Sequence, residues 1–207
     1  MQTLPPSLQQ IALFLERLPG IGRKTANRLA LYFLRLPQPD LHELADTIEH
    51  LKERTHMCTQ CNNLTESDLC DICSDSRRDH SQITVVESVL DIVSFENGNI
   101  YQGRYFVLHG KIDPLNHIGP EDIFVDKFLT YVQKNGKKIS EIVLATNPDM
   151  EGEATAMYMR NALREIQKQK KYAIKITRLG YGLPIGANLE YTDYMTLKKA
   201  LENRNTY

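Results

Sequence analysis

At 207 residues with 42% hydrophobic side chains, the chain is long enough to bury one or two packed cores. No stretch of 18 consecutive apolar residues occurs, and the amino terminus MQTLPPSLQQ has no basic segment leading into an apolar one, so we expect a cytoplasmic protein and no membrane span. The formal net charge of -1 hides separated blocks: Arg17, Arg23, Lys24, Arg28 and Arg35 face only Glu16 early in the chain, Glu141, Asp149, Glu151 and Glu153 form an acidic stretch, and seven bases between Arg160 and Arg178 face only Glu165. That distribution suits a DNA surface with a separate acidic site.

Pro5 and Pro6 lead to Ser7, which with Gln10 gives an SxxQ start signal, and Leu8, Ile11, Ala12, Leu15 and Leu18 then recur at helical spacing up to Pro19. The turn Gly20-Ile21-Gly22 opens a second helix, which Pro37 and Pro39 stop, and Asp40 with Glu43 signals a third whose apolar face is Leu41, Leu44, Ala45, Ile48 and Leu51. All four cysteines fall between Cys58 and Cys73, in a polar stretch unable to pack a core unaided. From Ile83 onward, short β-branched runs alternate with amphipathic segments: Ile83 to Val86, Tyr105 to Leu108, Ile142 to Ala145 and Ile174 to Thr177. This predicts an α/β domain with a mostly parallel sheet. The last thirty residues predict an irregular loop and a short helix from about Thr192. The fold class is therefore multi-part α plus α/β, divided at 1–56, 57–74, 81–178 and 179–207.

Three constellations carry chemistry. In Leu18-Pro19-Gly20-Ile21-Gly22-Arg23-Lys24-Thr25, two glycines separate helices and basic residues open the second, the pattern of a helix-hairpin-helix. Glycine lets the backbone come close to a ligand, and the free N–H groups of the helix start can take a phosphate. Gly20, Gly22, Arg23, Lys24 and Arg28 are the DNA-binding candidates; the alternative is a tight turn with solvated charges. Cys58-Thr59-Gln60-Cys61 and Cys70-Asp71-Ile72-Cys73 each offer two thiolates from one turn, and together they complete the closed tetrahedral site that structural zinc prefers. Disulfides are the alternative, disfavoured in a reducing compartment, and His56 is a spare donor. Finally, Glu87 ends one predicted strand and Asp149, Glu151 and Glu153 follow another, at the strand ends where ligands collect in open α/β sheets. The last two also suit the first turn of a helix by their charge.

This acidic set resembles the Toprim domain of topoisomerases, primases and related nucleases, in which a Glu and a pair of Asp hold magnesium. Asn147 stands where the first Asp would be and Met150 where a basic residue is usual, so any magnesium would be held weakly. The order of hairpin, four-cysteine module and degenerate Toprim domain is similar to the RecR family along the whole chain. Tyr105-Phe106-Val107-Leu108-His109-Gly110, Ile112-Asp113-Pro114-Leu115, Ile118-Gly119-Pro120, Ala145 to Ala156 and Thr177 to Asp193 carry that similarity in wording. The resemblance implies a bacterial, nucleoid-associated DNA-repair protein without catalytic residues. It would form a ring, as a dimer or tetramer, bridged by the N-terminal helices and the C-terminal tail. It would hold single-stranded, double-stranded or gapped DNA and act with RecO and RecF to load RecA. Glu87, Asp149, Glu151 and Glu153 would then dock a basic partner, RecO by resemblance. The rival expectations are a magnesium-dependent Toprim enzyme acting on DNA and a plain zinc-ribbon interaction module. No GxxxxGK[ST] loop accompanies Leu189-Glu190-Tyr191-Thr192-Asp193, so ATP hydrolysis has no support.

Overall fold

The computed structural model describes residues 4–204 and 206, which divide into one unit ending at Thr55 and a second beginning at His56. In the first unit, α1 (Pro6–Glu16) and α2 (Arg23–Phe33) pack through buried Leu8, Ala12, Ala26 and Ala30, with Ile11, Leu15 and Ile21 at the margin. Small alanine side chains on both contact faces let the two helices approach closely. Two expected starts are corrected here. Pro5, not Ser7, precedes α1, and Pro37 precedes α3 (Gln38–Arg54), which begins before Asp40 and carries Pro39 in its first turn. Proline supplies the φ of a first helical turn and lacks the N–H that this turn leaves unpaired, so it opens helices as readily as it ends them. Helix α1 also stops at Glu16, ahead of Pro19, and the Arg17 and Leu18 N–H groups close tighter turns onto Phe14 and Leu15 at 3.2 and 3.1 Å. No side chain of α3 is buried: Ile48 is 63% exposed, and the described residues of the first unit do not cover its apolar stripe.

The second unit opens with a two-stranded antiparallel hairpin, β1 (His56–Met57) and β2 (Leu64–Thr65), followed by the one-turn helix α4 (Asp71–Ser74). A four-stranded sheet follows: β3 (Asp79–Val86), β4 (Gly103–Val107), β5 (Glu141–Leu144) and β6 (Lys175–Arg178), in the order β4-β3-β5-β6 with every pairing parallel. Helix α5 (Val89–Gly98) brings Ile92 and Phe95 to one face, against Val86, Tyr105 and Val107. On the other face, α6 (Val125–Asn135) and α7 (Met150–Lys170) bring Phe128, Val132, Met159 and Leu163 against Val85, Phe106, Leu108, Ile142 and Leu144. With both faces covered, β4 is buried throughout, which is why Tyr105 to Leu108 reads as an unbroken apolar run. A 3-10 turn at Leu189–Tyr191 precedes α8 (Tyr194–Glu202), whose cap Asp193 accepts the Thr196 N–H at 2.9 Å. Since β4 and β5 flank β3 on opposite sides, the chain connections diverge at the carboxyl end of β3, the position where such sheets form a crevice.

Candidate metal centre, DNA hairpin and acidic site

The β1–β2 hairpin turn carries Cys58 and Cys61, and it closes because Asn62 takes the left-handed conformation (φ 60°), its N–H donating to the Cys58 carbonyl at 3.1 Å. Cys70 precedes α4 and Cys73 lies within it. All four cysteines are buried and their Sγ atoms lie within 4.8 Å of one another, Cys61 and Cys70 at 3.5 Å. A tetrahedral zinc with bonds of about 2.3 Å sets its sulfurs about 3.8 Å apart, whereas a disulfide needs about 2.05 Å. The donor set therefore fits one structural zinc, not cystines. The Asn63 N–H points to the Cys61 sulfur at 3.5 Å and the Cys70 N–H to the Cys58 sulfur at 3.4 Å, donors suited to thiolates. Hydrogen bonding by Cys61 and Cys73 pulls Cys70 down to about 2, while the same contacts with Cys70 and Cys73 push Cys61 far up. Four thiolates packed this closely repel one another, and a bound cation offsets that repulsion. His56 stays outside this cluster, on β1.

The module is anchored to the sheet. The Val107 N–H of edge strand β4 donates to the Cys61 carbonyl at 2.9 Å, and Asn62, fully buried, donates through Nδ2 to the Val107 carbonyl at 3.3 Å while accepting from Lys127 Nζ. His109 Nε2 meets the Asn62 carbonyl at 2.7 Å, which requires that nitrogen to carry the proton.

In the first unit, Gly20 has φ 81°, a conformation costly for any residue with a Cβ, and Ile21 N–H closes the turn onto the Leu18 carbonyl at 3.1 Å. Gly22 precedes α2 with no side-chain cap and no acidic residue in the first turn, leaving the opening N–H groups free among the described residues. A Cβ on Gly20 or Gly22 would meet no atom within 4 Å, so the space before the turn is open. Arg23, Lys24 and Arg28 are exposed, and none forms an ion pair among the described residues.

The acidic residues do not converge on one point; among the described residues the cysteines alone form a cluster able to hold a metal. Glu87, buried at the end of β3, has both oxygens engaged by Asn147, at 2.8 Å from its N–H and 2.6 Å from its side-chain amide. Gly152 makes this possible, because a Cβ there would lie 2.2 Å from the Asn147 carbonyl. Asp149 caps α7 through the Gly152 N–H at 2.7 Å and pairs with Lys111 at 2.5 Å; Lys111 also reaches Glu151 at 3.4 Å. Lys111 and the cap hold Asp149 below its ordinary range. Burial works to raise Glu153, but Tyr181 and Arg178, the latter at 2.7 Å, outweigh it and hold this carboxyl low. Each carboxylate thus has its own partner: Glu87 has Asn147, Asp149 and Glu151 share Lys111, and Glu153 has Arg178 and Tyr181. Sequence reasoning missed Lys111 and Tyr181, and placed Arg178 only in a basic block.

Four family models match consecutive segments: the helix-hairpin-helix of RecR over residues 8–52, the four-cysteine zinc finger domain of RecR over 55–75, the Toprim domain over 81–180 and the C-terminal segment of RecR over 182–205. The Recombination protein RecR of Syntrophotalea carbinolica is 42% identical over 204 residues, spanning 99% of this chain and 98% of the relative. The proteins of the same name from Myxococcus xanthus and Lactobacillus johnsonii are 41% and 43% identical, over 97% and 91% of this chain and 98% and 91% of theirs. With the hairpin, the cysteine cluster and the parallel sheet in one order, and with relatives this similar across nearly every residue, this chain belongs to the RecR family of recombination proteins.

Proposed function

We propose that this protein is a recombination mediator without catalytic activity of its own, which assembles with itself into a ring of two or four chains, holds DNA by its backbone, and acts with RecO and RecF to load RecA onto gapped DNA. The observation that carries the DNA reading is the open hairpin: an uncapped helix start at Gly22 with Arg23, Lys24 and Arg28 exposed and, among the described residues, unpaired beside it. Such a surface binds phosphates and ignores base identity. The uncovered stripe of Leu44, Ile48 and Leu51, with Phe14 and Leu34 also exposed, supports self-assembly, since apolar side chains in this number seek cover. Against a magnesium-dependent Toprim enzyme stands the occupied state of Glu87, whose oxygens would have to release Asn147 before meeting a metal. Asp149 and Glu151 share a single lysine and retain net negative charge, which suits docking of a basic protein surface such as RecO.

The test is DNA binding by Lys24→Glu and Arg28→Glu variants over a salt series. Each should weaken binding on every sequence tried and make the log-log salt dependence shallower by about 1 per lost phosphate contact. Parent-like binding by both variants at low salt would overturn the hairpin reading.

A further inference from the structure

Arg104, the second residue of β4, is only 7% exposed, and among the described residues no carboxylate lies within ion-pair distance of its guanidinium. Its Nη2 donates to the His80 carbonyl at 2.9 Å and to the Tyr131 hydroxyl at 3.0 Å, and its buried Nε has no hydrogen-bond partner among the described residues. A buried cation without a counter-ion is expensive, and proteins keep one where an anion comes to it. Arg104 lines a polar pocket of about 450 Å³ at the amino-terminal end of the sheet, between the start of β3, the end of α6 and the first cysteine turn. Lys138, exposed and without an ion pair among the described residues, lines the same pocket, with Gln60, Ser81 and Asn135 as further polar groups. Asp79 is the one carboxylate among the described lining residues, and its Oδ1 is already taken by the Ser81 N–H and hydroxyl at 2.8 and 2.7 Å. Two cations, buried Arg104 and exposed Lys138, against the single Asp79 carboxylate leave the lining with one positive charge in excess.

We propose that this pocket is a binding site for a phosphate group, with Arg104 as the buried anchor and Lys138 as the charge at its rim. A guanidinium and an ammonium set around one cavity match a tetrahedral oxyanion that can accept from several directions. The phosphate comes either from a nucleic-acid strand end or from a free phosphorylated compound; the shared chemistry is the phosphoryl oxygens. The site lies at the opposite end of the strands from Glu87 and Asn147, and it does not depend on the hairpin reading, because free phosphate alone is a sufficient probe.

The experiment is to titrate the full-length zinc-loaded protein with inorganic phosphate, following the arginine Nε–H resonances by NMR, with sodium chloride at matched ionic strength as control. A 5′-phosphorylated oligonucleotide and its unphosphorylated twin are then compared by the same readout. A buried Nε–H should shift with phosphate and not with chloride, and Lys138→Glu, an exposed change that leaves the core untouched, should weaken the response about tenfold or more. Arg104→Gln should abolish it. A response to the phosphorylated strand but not to its twin assigns the ligand to a strand end, and a response to inorganic phosphate only assigns it to small phosphates; both support the site. No shift with either probe, equal shifts with chloride, or an undiminished response in Lys138→Glu would overturn it, whether or not the Arg104 variant folds.

Discussion

Asn62 joins the metal centre to the sheet, and its replacement separates two contributions. Asn62→Ala removes the acceptor of Lys127 and the donor to the Val107 carbonyl; the exposed Lys127 can turn to water, but the buried carbonyl is left short of a partner. That loss should cost about 2–3 kcal/mol. The residue also sits at φ 60°, where a Cβ costs a further 1 kcal/mol or so for alanine. Asn62→Gly keeps the backbone at ease and loses only the side-chain bonds. We therefore expect Asn62→Ala to fall about 3–4 kcal/mol below the parent and Asn62→Gly about 2–3 kcal/mol. Urea unfolding followed by far-UV circular dichroism reads the stability, and competition with a chelating dye reads the metal, which should be released faster in both variants because folding of this segment and metal binding are coupled. Two variants within about 0.5 kcal/mol of the parent, with unchanged release, would refute the idea that Asn62 fastens the module.

Two further outcomes follow from the same geometry. Metal analysis should find one zinc per chain, and Cys61→Ser should lose it together with the protease resistance of residues 56–75, since metal binding and the folding of this polar segment are coupled. Glu96 is held below its ordinary 4.5 by the Arg78 guanidinium and the Tyr105 hydroxyl, so its contribution to stability is complete above that value and declines as pH falls through it; Glu96→Gln should flatten the acid limb of the stability profile, measured as melting temperature between pH 3 and 6.

The zinc ligands were legible because both CxxC pairs are local: each is read from four residues, and the polar stretch around them has no other means of folding. The α/β alternation was legible for a similar reason, and each predicted strand lies within a few residues of its observed bounds. What pattern could not supply was partnership. Lys111 lies 38 positions from Asp149 and Arg178 lies 25 from Glu153, so their compensation depends on how strand ends and loops come together. The stripe on α3 reads as a core face, yet periodicity says only that a surface wants cover, not that this chain provides it. Helix starts were misplaced where proline, usually read as a stop, served as the opening residue.

Asn147 decides the character of the acidic site. Its amide lies 2.6 Å from Glu87, so a carboxylate in its place would set two acids at hydrogen-bond distance beside a backbone that Gly152 lets come close. Two like charges that near cannot both ionise, and one must keep its proton or find a cation. Asn147→Asp should therefore destabilise the fold near neutral pH, by about 1–3 kcal/mol as for other buried unpaired charges. The sign follows from like-charge repulsion: well below the ordinary carboxylate range both carboxyls carry protons in the folded and unfolded chain alike and nothing is lost, and the penalty grows as pH rises through that range and a second charge is forced onto the folded pair. Magnesium offers the alternative relief, so melting temperature at pH 8 should drop in the variant and recover with millimolar magnesium, while the parent, whose Glu87 is already satisfied by an amide, should show no such recovery. A variant as stable as the parent at pH 8, or a parent stabilised by magnesium as strongly as the variant, would sink the account of Asn147 as the residue that turns a metal-binding pair into a hydrogen-bonded latch.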